Sequence, residues 1–280
     1  MRRAEPSRRA GVPDCESSSG SGNGRADSGE TGATEMSVTG SPYRTLRFRL
    51  PGVRSTVPRM DDLFGPYRRT RARVSTLFLD ATPDALARTV PACPAWTVHD
   101  LAAHLVGVPA TLAAGNFPDG DVDAWLQGIV DARHDAEITD LMDEWNTLDG
   151  AIEPMLQGMG ALMFTDVAIH EHDLRGALGE SDHGALEIEA IMACELPSFA
   201  PPLQDAGLGA IVVEHDGGTW RSHDADPGWT LHIAPWEATR ALGSRRTADE
   251  LRQLPADGGG DAYFAVIAGH LPLPEVSLGE

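Results

Sequence analysis

A mainly α protein, with four principal helices forming a bundle and a smaller α+β unit after them, is what this sequence predicts. Three observations predict it. Apolar residues recur at spacings of three and four across residues 61–179, capping signals open those runs, and after Gly184 the text changes to β-type runs punctuated by glycine.

Composition narrows the class first. The chain has 280 residues, enough for two modest domains or one large one, and 41% of them are hydrophobic, which can fill a core. No stretch approaches the roughly 18 uninterrupted apolar residues of a membrane helix. Every basic residue is arginine, and the net charge is -20; residues 1–59 are net +4, which leaves -24 on the remainder. An acidic surface of that kind repels phosphate backbones and anionic lipid, so neither nucleic acid nor membrane is expected as a partner. Cysteine occurs at Cys15, Cys93 and Cys194 without a C-x-x-C pair, which indicates neither a disulfide framework nor a cysteine zinc site. That usage suits a reducing cytoplasm, and the arginine-rich start lacks the apolar region of a secretory signal.

Residues 1–59, rich in Gly, Ser, Arg and Pro with no period, are expected to be disordered or to follow from a start assigned upstream of Met60. A helical bundle is expected over 60–180 and an α+β domain over 185–280. From Asp61 to Asp80, Leu63, Phe64, Tyr67, Val74, Leu77 and Phe78 mark an amphipathic helix with arginines between them. Thr82-Pro83-Asp84 is an N-cap followed by proline at the first helical position. After a break from Pro91 to Pro94, Thr97-Val98-His99-Asp100 forms a capping box with Asp in place of Glu. Val98, Leu101, Leu105, Val108 and Leu112 then follow on one face of a second long helix. Residues 121–157 are helical in period, as one long or two shorter helices, with breaks expected near His134 and Pro154. Leu162 to Leu178 forms the last strong helix, stopped by Gly179. Beyond Gly184, Ala210 to Val213 runs as a strand into the turn Asp216-Gly217-Gly218, and Trp229 to Ile233 reads as another strand. Helices at Trp236–Leu242 and Ala248–Leu254 flank Gly243-Ser244-Arg245-Arg246.

Three residues stand out chemically. His104 lies beside Leu101 and Leu105, at the edge of the stripe that must face the interior, and Asp166 and His170 sit four apart on one helix face. Two ligands at i and i+4 plus a third from a facing helix give the three-ligand, open-position geometry of a catalytic divalent metal, zinc in particular. The same spacing also suits a core histidine satisfied by hydrogen bonding, and spacing alone leaves both open. The remaining histidines, His172 included, are read as surface or incidental.

The run Pro91-Ala92-Cys93-Pro94-Ala95-Trp96-Thr97-Val98-His99-Asp100-Leu101-Ala102-Ala103-His104-Leu105 resembles the CP(G/A)WTV-x-DL-x-x-HL signature of the mycothiol-dependent maleylpyruvate isomerase family, within the DinB-like superfamily. A second likeness is Asp166 to Gly179, where similar family members carry a ligand carboxylate, a histidine four positions on, and HE-x-D-(I/L)-RGALG. The third is Leu242-Gly243-Ser244-Arg245-Arg246-Thr247, similar to a GRR(S/T) element in the family's C-terminal domain. The likeness spans about residues 60–275, and the chain departs from it twice. Asp166 stands where the isomerase has Glu, and Ser244 interrupts the Gly-Arg pair.

What the resemblance implies is a DinB-like four-helix bundle with metal ligands His104, Asp166 and His170. It also implies mycothiol as the thiol cofactor, activated on the metal, and an isomerase or thiol transferase acting on a small electrophilic, carboxylate-bearing substrate. Arg245 or Arg246 would pair with that carboxylate, or else cap carbonyls as exposed helix-linking arginines. Glu171 and Arg175 read as a helix-surface ion pair, and Cys93 as a small buried residue. Two rivals share the fold: a non-catalytic metal-binding or thiol-sensing protein, and a small-molecule carrier using the C-terminal domain.

Overall fold

The computed structural model describes residues 63–180 and 187–279, so the expectation for residues 1–59 falls outside the described residues, as does His183. Among the described residues the protein is mostly helical with two small sheets, and no helix is long and apolar enough to cross a membrane.

The first helix, α1 (Phe64–Asp80), buries Tyr67, Val74 and Phe78. Leu63, just before it, is buried too. One of the arginines expected on its polar face is instead buried. Arg71 reaches the Trp145 carbonyl at 3.3 Å and Asp149 at 2.6 Å, so its charge is paired inside rather than solvated. Thr82 caps the short α2 (Pro83–Leu86), accepting from the Ala85 amide, with proline at the first turn. The stretch taken as a break is a tight hairpin, β1 (Thr89–Val90) and β2 (Cys93–Thr97). Its two-residue and five-residue strands are too short for a period of two to register in the sequence.

Thr97 ends the hairpin and caps α3 (Val98–Ala113). Its side chain accepts from the Asp100 amide while Asp100 accepts from the Thr97 amide, the expected capping box. The two shorter helices are α4 (Val122–Asp131) and α5 (Ile138–Thr147), with the expected break near His134. The second break falls elsewhere. Helix α6 (Asp149–Leu178) runs through Pro154 but kinks at Met159, where non-helical dihedrals divide it into two helices, so the last helix expected from Leu162 begins just beyond that kink. Proline in a helix interior costs roughly 3 kcal/mol of helix propensity, but Ile152 and Leu156 on either side are fully buried, and their packing holds the turn. Gly179 ends α6 in the left-handed conformation at φ 75°, as expected.

Helix α1 packs on α6, α6 on α3, α3 on α5 and α5 on α1, which closes a ring of four helices around one apolar core. A second core follows. It is built by α7 (Ile188–Glu195), a 3-10 turn at Leu196–Phe199, α8 (Ala200–Asp205) and a four-stranded sheet. The sheet contains β3 (Ala210–His215), β4 (Gly218–Arg221), β5 (Pro227–His232) and β6 (Ala256–Gly258), in the order β4-β3-β5-β6. Strands β3 and β5 are parallel and the outer pairs antiparallel. Four consecutive buried residues, Ala210 to Val213, fit a central strand covered on both faces. Helices α9 (Pro235–Leu242), α10 (Ala248–Gln253) and α11 (Asp261–Ala268) complete this part. Helix α7 serves both cores, with Ile191 and Cys194 in the first and Met192 in the second.

Candidate metal centre

Helices α3 and α6 face each other, and the capping box fixes the register of α3 so that Leu101 and Leu105 enter the core with His104 between them, 4% exposed. One turn apart on α6, Asp166 and His170 face the same space. His104 Nε2 lies 3.4 Å from Asp166 Oδ1, and His170 Nε2 lies 3.6 Å from that same oxygen. The two imidazoles meet edge to face at 5.1 Å between ring centres. The three predicted ligands are therefore brought together, with all donor atoms within 4.8 Å of one another.

Those separations bear on both readings the spacing left open. A good N–H to oxygen hydrogen bond measures about 2.7–3.2 Å. Donors about 2.0–2.2 Å from a tetrahedral cation are roughly 3.3–3.6 Å apart. The two contacts to Asp166 Oδ1 stand at the outer limit of hydrogen bonding and equal two edges of such a tetrahedron, so the donor types and these two spacings suit a divalent cation. Burial works against a charged Asp166, but the positive potentials of His104, His170 and Arg245 outweigh it and hold the carboxyl below its usual range. A carboxylate anion is thus present. Its side chain is a third exposed, so the centre opens to solvent on that side.

Behind His170 stands a residue to which sequence reasoning gave no role. His170 Nδ1 lies 3.0 Å from Asp173 Oδ2, and Asp173 is fully buried. Arg245 Nη2 donates to Asp173 Oδ2 at 2.6 Å and its Nε to Oδ1 at 3.2 Å; Arg240 Nη1 donates to Oδ1 at 2.9 Å. Burial would raise the Asp173 pKa, yet Arg245, Arg240 and His170 hold it well below the carboxylate range. Burial likewise opposes a charged His170. The hydrogen bond to Asp173, the neighbouring Cys93 and the Asp166 charge more than offset this and push its pKa up to about 10. The signal for Asp173 was its place three residues after a candidate ligand, because metal-bound imidazoles commonly hand their second N–H to a carboxylate.

Both predicted arginines are engaged inside the protein. Arg245 is bidentate on Asp173 and also donates to the Gly243 carbonyl at 2.7 Å. Arg246 is bidentate on Glu237, at 2.7 and 2.8 Å. Each is more than nine-tenths buried, which corrects the reading of exposed helix-linking arginines. Other readings change as well. Glu171 is 1% exposed and holds both Arg73 and Arg175, a buried charge cluster rather than a surface pair. His172 leaves the coordinating face as expected but is buried, against Trp236 at 4.4 Å and Thr239 Oγ1 at 3.5 Å. His172 is covered by α9, and Glu171 is enclosed by Arg73 of the packed α1 and by Arg175, neighbours that no local pattern announces.

The β1–β2 hairpin supplies two further residues. Trp96 lies against His104 at 4.8 Å between ring centres and donates to Gln127 Oε1 at 3.3 Å. Cys93 is half-buried, its sulfur within 4.8 Å of a ring nitrogen of His170. Cys93, His170 and Asp173 form another close group of potential ligands. Two guanidinium groups already on Asp173 would repel a cation there, so this second group is a poor metal site. Set against family models, curated proteins and solved structures, the chain matches none.

Proposed function

We propose that this protein is a DinB-like member of the maleylpyruvate isomerase type that holds one divalent cation, zinc, on His104, Asp166 and His170 and uses it to bind and activate a small-molecule thiol. The observation that carries the reading is the convergence of three donors from two helices at 3.4 and 3.6 Å, spacings suited to a shared cation. The ligand types support it. A bound cation would displace the proton that His170 holds in its absence, and two imidazoles then neutral with one carboxylate would leave a divalent ion with residual positive charge, which favours an anionic fourth ligand. When bound, the cation supplies Lewis acidity that keeps a thiol deprotonated at neutral pH. Asp166 contributes the charge, His170 is oriented by Asp173, and Trp96 walls the His104 side. The resemblance names mycothiol as the thiol and an isomerase or transferase as the activity, acting on a small electrophile.

A second reading, a non-catalytic metal-dependent thiol sensor, is favoured by one observation. Arg245 and Arg246, the groups expected to meet a substrate carboxylate, are both occupied by internal carboxylates. A cobalt-substituted sample separates binding from its absence: mycothiol should give a sulfur-to-metal charge-transfer band and release a proton. Equal mycothiol binding by metal-loaded and metal-free protein would defeat thiol activation. Binding without turnover of any electrophile would favour the sensor.

A further inference from the structure

We infer that Arg245 is a positioning residue for the candidate metal centre, acting from the C-terminal part of the chain through Asp173 on the imidazole of His170. The inference rests on the reading of His104, Asp166 and His170 as cation ligands. Its geometry is continuous. Arg245 grips both oxygens of Asp173, and Asp173 Oδ2 accepts from His170 Nδ1, which turns His170 Nε2 toward Asp166. With the Nδ1 proton held by a carboxylate, Nε2 is the nitrogen left to give up its proton to a cation and offer its lone pair, facing the centre.

The grip is itself built in. Two residues past the end of α9 Ser244 stands at φ 59°, and the Arg245 amide donates back to the Arg240 carbonyl at 2.8 Å, the reversal that closes a helix through a left-handed residue. That reversal turns Arg245 inward beside Arg240, so both guanidinium groups meet the same carboxylate. Arg245 Nη1 is fixed from behind by the Gly243 carbonyl. Asp173, matched by two cations in the interior, has no freedom to become a ligand itself and is left to accept from His170. His104 is held differently. Its Nδ1 is buried without a hydrogen-bond partner in the described residues, and Trp96 packs on its ring. Of the two imidazoles, His170 alone is oriented by a charge network, and that network comes from the C-terminal part.

The test uses the full chain in four forms: wild type, Arg245→Met, Arg245→Lys, and Arg133→Met, which removes a bidentate ion pair to Glu144 in the helical ring and controls for lost stability. Zinc affinity is measured by chelator competition, and the His170 Nδ1 proton is followed by nitrogen-edited NMR in metal-free protein. Loss of an outer-shell partner typically weakens metal binding about 10–100-fold. Arg245→Met should fall in that range and lose or shift the His170 proton signal, Arg245→Lys should show a smaller change in the same direction, and Arg133→Met should change neither. Unaltered zinc affinity and an unaltered signal in Arg245→Met overturn the inference, as does an equal loss of zinc in Arg133→Met that tracks melting temperature alone. If Arg245→Met does not fold, the Lys variant decides by the same two readouts. Should wild type take up no zinc, the proposed function fails, while the His170 signal still decides whether Arg245 orients the ring.

Discussion

Ser244 is the non-glycine residue with positive φ among the described residues, at 59°, and its buried Oγ has no hydrogen-bond partner there. A left-handed conformation costs an ordinary side chain roughly 1–2 kcal/mol, and glycine avoids the cost. Ser244→Gly should therefore raise stability by about 1 kcal/mol in chemical denaturation and leave zinc affinity unchanged; a loss of stability would show that Oγ has a role the geometry hides. Glu195 offers a pH test. Burial, only partly countered by Arg245 and Arg240, pushes its pKa from 4.5 up to about 7. Because the folded state holds this proton more tightly than the unfolded chain, the stability it contributes is complete below pH 4.5 and is lost as pH rises through about 7. Each tenfold change in proton affinity is worth about 1.4 kcal/mol, so Glu195→Gln should exceed wild type above pH 8 by up to roughly 3 kcal/mol. Parallel stability curves for the two proteins between pH 5 and pH 8 would contradict this. At this scale the sequence made the cluster legible, since Asp166 and His170 sit four apart on one helix and His104 lies on the inward stripe of another. Asp173, Arg240 and Cys93 were not, because they meet only through contacts 67 to 80 residues apart or through a hairpin too short to read.

At the scale of elements, local chemistry was readable wherever a cap or a period fixed it. The Thr97 and Asp100 box, proline at the first turn of α2 and the left-handed Gly179 all stand where the residue types place them. The course of α6 was readable in part: the break expected near Pro154 falls instead at the Met159 kink, because buried Ile152 and Leu156 hold the turn around the proline. Not readable were α7, α8, β6 and α11, whose short lengths leave too few turns or alternations for a pattern to emerge. The capping box has a consequence for the centre, because it sets where α3 begins and hence where His104 points. Thr97→Ala should cost about 1 kcal/mol and weaken zinc binding. Full zinc affinity in a destabilised Thr97→Ala protein would mean that packing of Leu101 and Leu105 alone sets the register.

Across the whole molecule, two apolar cores share α7 and are joined by buried charge. Asp173 on α6 takes its guanidinium partners from α9 and the residues after it, so the helical ring and the C-terminal part complete one another electrostatically. Removing one partner from such a buried pair typically costs 3–5 kcal/mol, and Asp173→Asn should lower the melting temperature of the whole chain in one cooperative transition. Two separate transitions would indicate that the parts unfold independently. The central claim is the cation itself. Zinc per chain, measured by elemental analysis on purified wild type and on His104→Gln, Asp166→Asn, His170→Gln and His172→Gln, tests it most directly. About one equivalent is expected in wild type and in His172→Gln, and strong loss in each of the other three. No zinc in wild type, or a loss in His172→Gln equal to that in His170→Gln, would contradict it.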